Sequence, residues 1–177
     1  MKVQIRQETE ADHQAVFNLV KAAFERMEIS EHNEQLIIER LRQSPSFVPE
    51  LSMVACLDDG TIVGHILLTK ITIEDQEKSY PSLVLAPVSV LPDYQHQKIG
   101  SQLIVAAQNK ALEMGYTSIV LVGHAHYYPR FGYELCRRFG IKMPFDAPDI
   151  NCMAIELIPG ALEHVQGLVH FDPVFFE

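Results

Sequence analysis

The segment Val88-Ser89-Val90-Leu91-Pro92-Asp93-Tyr94-Gln95-His96-Gln97-Lys98-Ile99-Gly100-Ser101 constrains this chain more than any other. It reads as an apolar strand, a short polar loop and the start of a helix. A loop of this kind turns several backbone N–H groups toward one point at the positive end of a helix dipole, which is an arrangement that binds phosphate. Gly100 lets the backbone come close to such a ligand. Taken alone, the loop fits an ordinary strand-to-helix turn equally well.

The elements on either side follow from periodicity and punctuation. Residues 3–8 alternate like a strand, and Thr9-Glu10-Ala11-Asp12 has the capping side chain and acids of a helix start. Val16, Leu19, Val20, Ala23, Phe24 and Met27 recur at helical spacing. Asn33 is placed to cap a second helix carrying Leu36, Ile37 and Leu41, and Ser44-Pro45-Ser46 ends it. Strands are expected over 51–57 and 62–73 around the turn signal Asp58-Asp59-Gly60, with Gly64 marking a bulge or a close backbone approach. A further strand covers 82–91. Ile99, Leu103, Ala107 and Ala111 trace one helix face that Gly115 stops. Ser118–Val122 reads as a short buried strand, 125–131 as a short helix, and 133–138 and 152–158 as the last strands. No repeat, low-complexity tract or linker divides the chain, so one domain over 1–177 is expected.

Composition excludes several functions. The chain has 177 residues, 47% apolar and 21% charged, which suits one soluble domain with a sizeable core. Its net charge of −9 argues against nucleic-acid binding, which needs a basic footprint. That charge serves solubility, and fits a cationic or amine-bearing substrate only weakly. Cys56, Cys136 and Cys152 are odd in number and form no C-x-x-C pair, so neither a disulfide framework nor a thiolate zinc site is expected, and a reducing cytoplasm is the natural setting. The start Met1-Lys2-Val3-Gln4-Ile5-Arg6 has no signal-peptide core, and the longest apolar run, Leu83–Leu91, is too short to span a bilayer. The apolar segment Gly167–Phe176 is expected to cover either the domain or a partner, which leaves a homodimer open.

Two motifs resemble those of the GCN5-related N-acetyltransferases, the GNAT superfamily. Gln95-His96-Gln97-Lys98-Ile99-Gly100 is similar to the family's Gln/Arg-x-x-Gly-x-Gly/Ala acyl-CoA loop, with Lys98 where the first glycine stands. Tyr127-Tyr128-Pro129-Arg130-Phe131-Gly132-Tyr133 is similar to its Tyr-x-x-x-Gly-Phe element after the fifth strand. The ending Cys152–Phe176, with Glu156-Leu157-Ile158-Pro159-Gly160-Ala161-Leu162, resembles the bacterial YhbS-type branch. The two motifs stand at the expected separation, and the order of elements matches over nearly the whole chain.

The resemblance implies an α/β fold of the α+β type: a mixed, mostly antiparallel sheet flanked by helices, splayed between its fourth and fifth strands. Ala86 and Pro87 add little bulk, and Pro87 has no N–H for a paired ladder, which suits such a splay. The implied activity is acetyl-CoA-dependent acetylation of a primary amine on a small molecule or peptide, by direct attack in a ternary complex and without a metal. The implied cosubstrate contacts are Val88, Ser89, Val90, Gln95, His96, Gln97, Lys98, Ile99, Gly100 and Ser101. Lys98 removes glycine's conformational freedom at one position and adds an ammonium that reaches toward phosphate.

In the same frame Tyr128 is the residue that protonates the leaving sulfur, and Tyr127 packs or touches substrate. A thiol near ~8.5 and a phenol near ~10 make that transfer close to balanced. The strand over 82–91 has no carboxylate, so the general base falls to His124 or to water, with His126 and His65 as weaker choices. His124-Ala125-His126 would share a strand face, but no third ligand accompanies them, and no metal is expected. The alternative function is a non-catalytic acyl-CoA-binding sensor on the same fold. Acceptor choice would lie in residues 9–49, 74–80 and 142–151, where no residue is diagnostic.

Overall fold

The computed structural model describes all 177 residues. The chain forms β1 (Gln4–Gln7), α1 (His13–Phe24), α2 (Glu34–Leu41), β2 (Phe47–Cys56), β3 (Ile62–Asp75), β4 (Lys78–Val90), α3 (Ile99–Glu113) and β5 (Ser118–Val122). It continues through β6 (Glu134–Leu135), β7 (Ile141–Lys142), β8 (Cys152–Glu156) and β9 (Gly167–His170). One mixed sheet runs β1-β2-β3-β4-β5-β8-β6, and β9 pairs with β3 and β7. The pairing is antiparallel except for β4 with β5 and β7 with β9. This is the α+β sheet expected.

The apolar residues sort onto two faces of the sheet. Leu51, Ala55, Ile66, Leu68 and Leu83 meet Ile99, Leu103, Ile104 and Ala107 of α3. Val54, Cys56 and Leu67 meet Val16, Leu19 and Val20 of α1 and Ile38 and Leu41 of α2. Gly64 lies beside a bulge, and its bare α-carbon admits side chains of α3 rather than another backbone. A Cβ there would stand 2.9 Å from a Leu103 methyl, and the β2–β3 register shifts beside it.

Local differences from the sequence reading have local causes. β3 and β4 extend past the expected bounds into a hairpin turning at 76–77, because the polar residues 74–80 pair across it while facing solvent. Only Glu134–Leu135 of the expected 133–138 strand is extended, since Cys136–Phe139 turns as a 3₁₀ helix ended by Gly140 at φ 72°. Tyr128–Phe131 is likewise 3₁₀. Gly167–Phe176 covers its own chain. β9 pairs with Thr72–Glu74 of β3, and Phe171 and Phe175 pack against the buried cluster beneath.

Candidate active site

β4 and β5 run parallel but pair only at Leu83↔Ile119 and Val84↔Val120. Beyond Val84 the strands part. The β3–β4 register shifts between Leu68↔Leu85 and Ile66↔Val88, so Ala86 and Pro87 together stand opposite Leu67. This bulge bends β4 away from β5 and leaves the β5-facing edge of residues 86–90 without a strand partner.

The loop after β4 closes on a cavity of about 420 Å³. Val90, Gln95, His96, Lys98, Ile99, Gly100 and Ser101 line it, so seven of the expected contacts come together. Val88, Ser89 and Gln97 do not: Ser89 is buried in β4, and the Gln97 amide turns back to the Asp93 carbonyl at 3.5 Å. The first amide of α3 to find a helical acceptor is that of Gln102, which donates to the Lys98 carbonyl at 3.1 Å. The amides of Ile99, Gly100 and Ser101 thus stand at a helix N-terminus without helical partners. His96 (φ 63°) and Lys98 (φ 64°) both adopt left-handed backbone. Lys98 therefore adopts the conformation a glycine would supply, although its Cβ is disfavoured there. Such turns in a loop aim successive N–H groups at one anion.

Two lining residues escaped the sequence reading, Tyr94 and Arg130, and Tyr127, expected to pack or to touch substrate, borders the same cavity. The Tyr127 hydroxyl lies 3.4 Å from Ser101 Oγ. The Arg130 guanidinium stacks 4.8 Å from the Tyr127 ring centroid. A cation–π contact of this kind holds a guanidinium in place beside the helix N-terminus. The signal was the cation inside the Tyr-x-x-x-Gly frame, one turn from the tyrosines.

Tyr128 sits differently. It is buried, edge-on to Tyr127 at 5.1 Å and to Tyr133 at 5.8 Å. A Cβ on Gly123 would overlap its ring, so the glycine ending β5 makes its seat. Burial pushes the Tyr128 phenol up to about 12, which keeps it protonated through the physiological range. Full transfer to a thiolate is then uphill, unlike the near balance expected of free side chains, and the phenol is better suited to donate a hydrogen bond. His124 is exposed, two residues past β5, with its carbonyl accepting from the Tyr127 amide at 3.1 Å. His126 is also exposed.

His65 lies elsewhere, fully buried in β3. Its Nε2 stands 3.1 Å from Ser52 Oγ, which donates to Glu8 at 2.6 Å, and Arg42 pairs with Glu8. No group of three or more His, Cys, Asp or Glu side chains is arranged to hold a metal ion.

A family description, the GNAT acetyltransferase domain, matches residues 4–136. The chain belongs to the GNAT acetyltransferase family. Among relatives of this GNAT protein, the uncharacterized N-acetyltransferase YjhQ of Escherichia coli K12 is 35% identical over 114 residues, 64% of this chain and 62% of YjhQ. The uncharacterized N-acetyltransferase YhbS of the same organism is 25% identical over 97% of both chains. Two solved structures share the fold. E. coli YhbS in complex with CoA superposes with a TM-score of 0.89 at 24% identity, covering 100% of this chain and 93% of that one. A GNAT acetyltransferase from Brucella melitensis in complex with acetyl-CoA gives 0.80 at 28% identity and 98% coverage of both.

Proposed function

We propose that residues 1–177 form one domain that transfers the acetyl group of acetyl-CoA to a primary amine of a small molecule or peptide, within a ternary complex. The observation that carries this reading is the cavity at the N-terminus of α3, cornered by unpaired amides and by Lys98 and Arg130, directly after a strand that parts from its parallel neighbour. Amides of 99–101 and the two cations suit a pyrophosphate. Gly100 leaves room there, since a Cβ would stand 3.2 Å from the Tyr127 hydroxyl.

The unpaired edge of β4 offers backbone N–H groups to the acyl carbonyl, which would polarise it. The amine nitrogen attacks that carbon, the C–N bond forms and the C–S bond breaks. Tyr128 donates to the sulfur as negative charge develops on it. The amine's proton leaves to His124 or to water. The B. melitensis neighbour, crystallised with acetyl-CoA, supports the choice of cosubstrate. Three free, buried thiols support a cytoplasmic setting.

Calorimetric titration with acetyl-CoA, followed by thiol release with an amine panel, tests the reading. Binding with turnover is the expected result. Binding without turnover of any amine would favour the sensor alternative, and absence of binding would remove the site.

A further inference from the structure

A second cavity opens where β4 and β5 part, between Ala86 and Val122, with a volume of about 210 Å³. Every lining side chain is apolar, and half of them are phenylalanines: Phe145, Phe171, Phe175 and Phe176. Phe171 is the hub, with ring centroids 5.6 Å from Phe145, 5.6 Å from Phe175 and 6.1 Å from Phe176.

Two features separate this cavity from a packing defect. The first is exposure at its rim. Phe176 is 60% exposed, Val122 42% and Phe145 40%, although the chain has a well-filled core to take such residues. Exposed aromatic rings gathered around a hollow mark a ligand site. The second is that three separate devices hold the rings in place. β9 fixes the segment ahead of them on β3. Asp172 accepts from the Val174 amide at 2.9 Å and from Ser44 Oγ in the turn after α2. Asn151 and Gly123 exchange two 2.9 Å hydrogen bonds, which tie the segment carrying Phe145 to the end of β5. The hollow is therefore built before any ligand arrives, which lowers the ordering cost of binding.

We infer that this cavity seats the body of the acceptor, and that the acceptor is a monoamine on an aromatic or branched aliphatic body. The inference rests on the acetyl-transfer reading above, because the cavity opens at the divergence that would receive the acetyl group. With the body among the phenylalanines, the amino group lies at the mouth, between the strands. Chemistry and size choose the class. No carboxylate lines the cavity, so a polyamine would have to strip water from a second or third charge without compensation. Sites for drug-sized ligands span about 300–1,000 Å³, and this one suits something smaller, near a phenyl ring with a short arm. The net charge of −9 draws a monocation to the surface without entering the cavity itself.

The experiment compares phenethylamine, 3-methylbutylamine, spermidine and a lysine peptide as acceptors with acetyl-CoA. Phenethylamine or 3-methylbutylamine should exceed spermidine and the peptide at least about tenfold in kcat/KM. Phe145→Ala and Phe176→Ala should each raise the KM of the preferred amine several-fold and leave the KM of acetyl-CoA unchanged. Both side chains are exposed, so folding should survive, and circular dichroism checks it. Phe145→Glu should narrow the gap by admitting spermidine. Preference for spermidine or the peptide, or unchanged amine KM in both alanine variants, overturns the inference. So does a result in which Phe176→Ala impairs only transfer from hexanoyl-CoA, because the cavity would then hold an acyl chain. If acetyl-CoA binds and some other amine is acetylated while neither phenethylamine nor 3-methylbutylamine is, the acceptor class is wrong; binding without turnover of any amine counts against the acetyl-transfer reading itself. If acetyl-CoA does not bind, the underlying reading has failed too.

Discussion

A Cβ on Gly100 would stand 3.2 Å from the hydroxyl of Tyr127. The first turn of α3 and the tyrosine from beyond β5 therefore share one space, and the bare α-carbon lets both border the cavity. Gly100→Ala should change folding stability by no more than about 1 kcal/mol, because alanine's helix preference offsets the displaced phenol. It should weaken acetyl-CoA binding about tenfold. Urea unfolding and calorimetry measure the two effects separately. Equal losses in both would mean that the residue serves packing alone.

Lys98 sits in left-handed backbone at φ 64° and ψ 18°, just before α3. A residue with a Cβ is disfavoured there by about 1–2 kcal/mol, partly offset by the flexibility glycine brings to the unfolded chain. Lys98→Gly should therefore stabilise the fold by up to about 1 kcal/mol. If the ammonium serves phosphate, the same variant should bind acetyl-CoA about fivefold less tightly at low salt, with the difference shrinking as salt rises. Lys98→Glu should bind more weakly still. Unchanged affinity in the glutamate variant would place the side chain in solvent.

How much was legible in the sequence depended on how local the cause was. Gln95–Ser101 could be read because its chemistry belongs to a contiguous backbone, and α3 because Ile99, Leu103, Ala107 and Ala111 are periodic. The hairpin tip over 74–80 could not, because its polar residues become strand only by pairing with each other and, at Glu74, with β9. The Arg130 cation stood visible inside the Tyr-x-x-x-Gly frame, but its place was not, because nothing local brings the turn after β5 to the N-terminus of α3. The aromatic cavity was hidden for the same reason. Phe145 and Phe171–Phe176 are distant in sequence and meet only because Asn151 anchors one segment and Asp172 the other.

Burial lowers the His65 imidazole to about 4, against about 6.5 when unfolded. Between these values the unfolded chain binds more protons than the folded one, so stability rises with pH across that window. The contribution is complete above pH 6.5 and lost as pH falls toward 4, amounting to roughly 3 kcal/mol. His65→Leu should flatten the pH dependence of unfolding between 6.5 and 4. A further loss below about 3.8 should remain, because the hydrogen bonds from Arg6 hold the Asp12 carboxyl well below its ordinary range. That stability is present above the unfolded carboxylate value and disappears as pH falls through the folded one. An unaltered profile between 6.5 and 4 in His65→Leu would mean that the imidazole is not the group being titrated.

Tyr127 and Tyr128 are neighbours in sequence with separate tasks, and their hydroxyl deletions should split accordingly. Tyr127 borders the cavity with its hydroxyl near Ser101 and its ring beneath Arg130. Tyr127→Phe should raise the KM for acetyl-CoA modestly and leave kcat near wild type, the pattern of binding lost equally from ground and transition states. Tyr128 is seated against Gly123, with its phenol raised to about 12 by burial. Its donation strengthens as the sulfur takes on charge, so Tyr128→Phe should lower kcat at least about tenfold and leave acetyl-CoA affinity nearly intact. A phenol at that value also predicts no alkaline limb from tyrosine ionisation below about pH 11. Single-turnover measurements with a working amine keep slow product release from masking the chemical step. A Tyr128→Phe enzyme with the full single-turnover rate would remove this residue from the mechanism, and an intact KM in Tyr127→Phe would remove the other from the cosubstrate site.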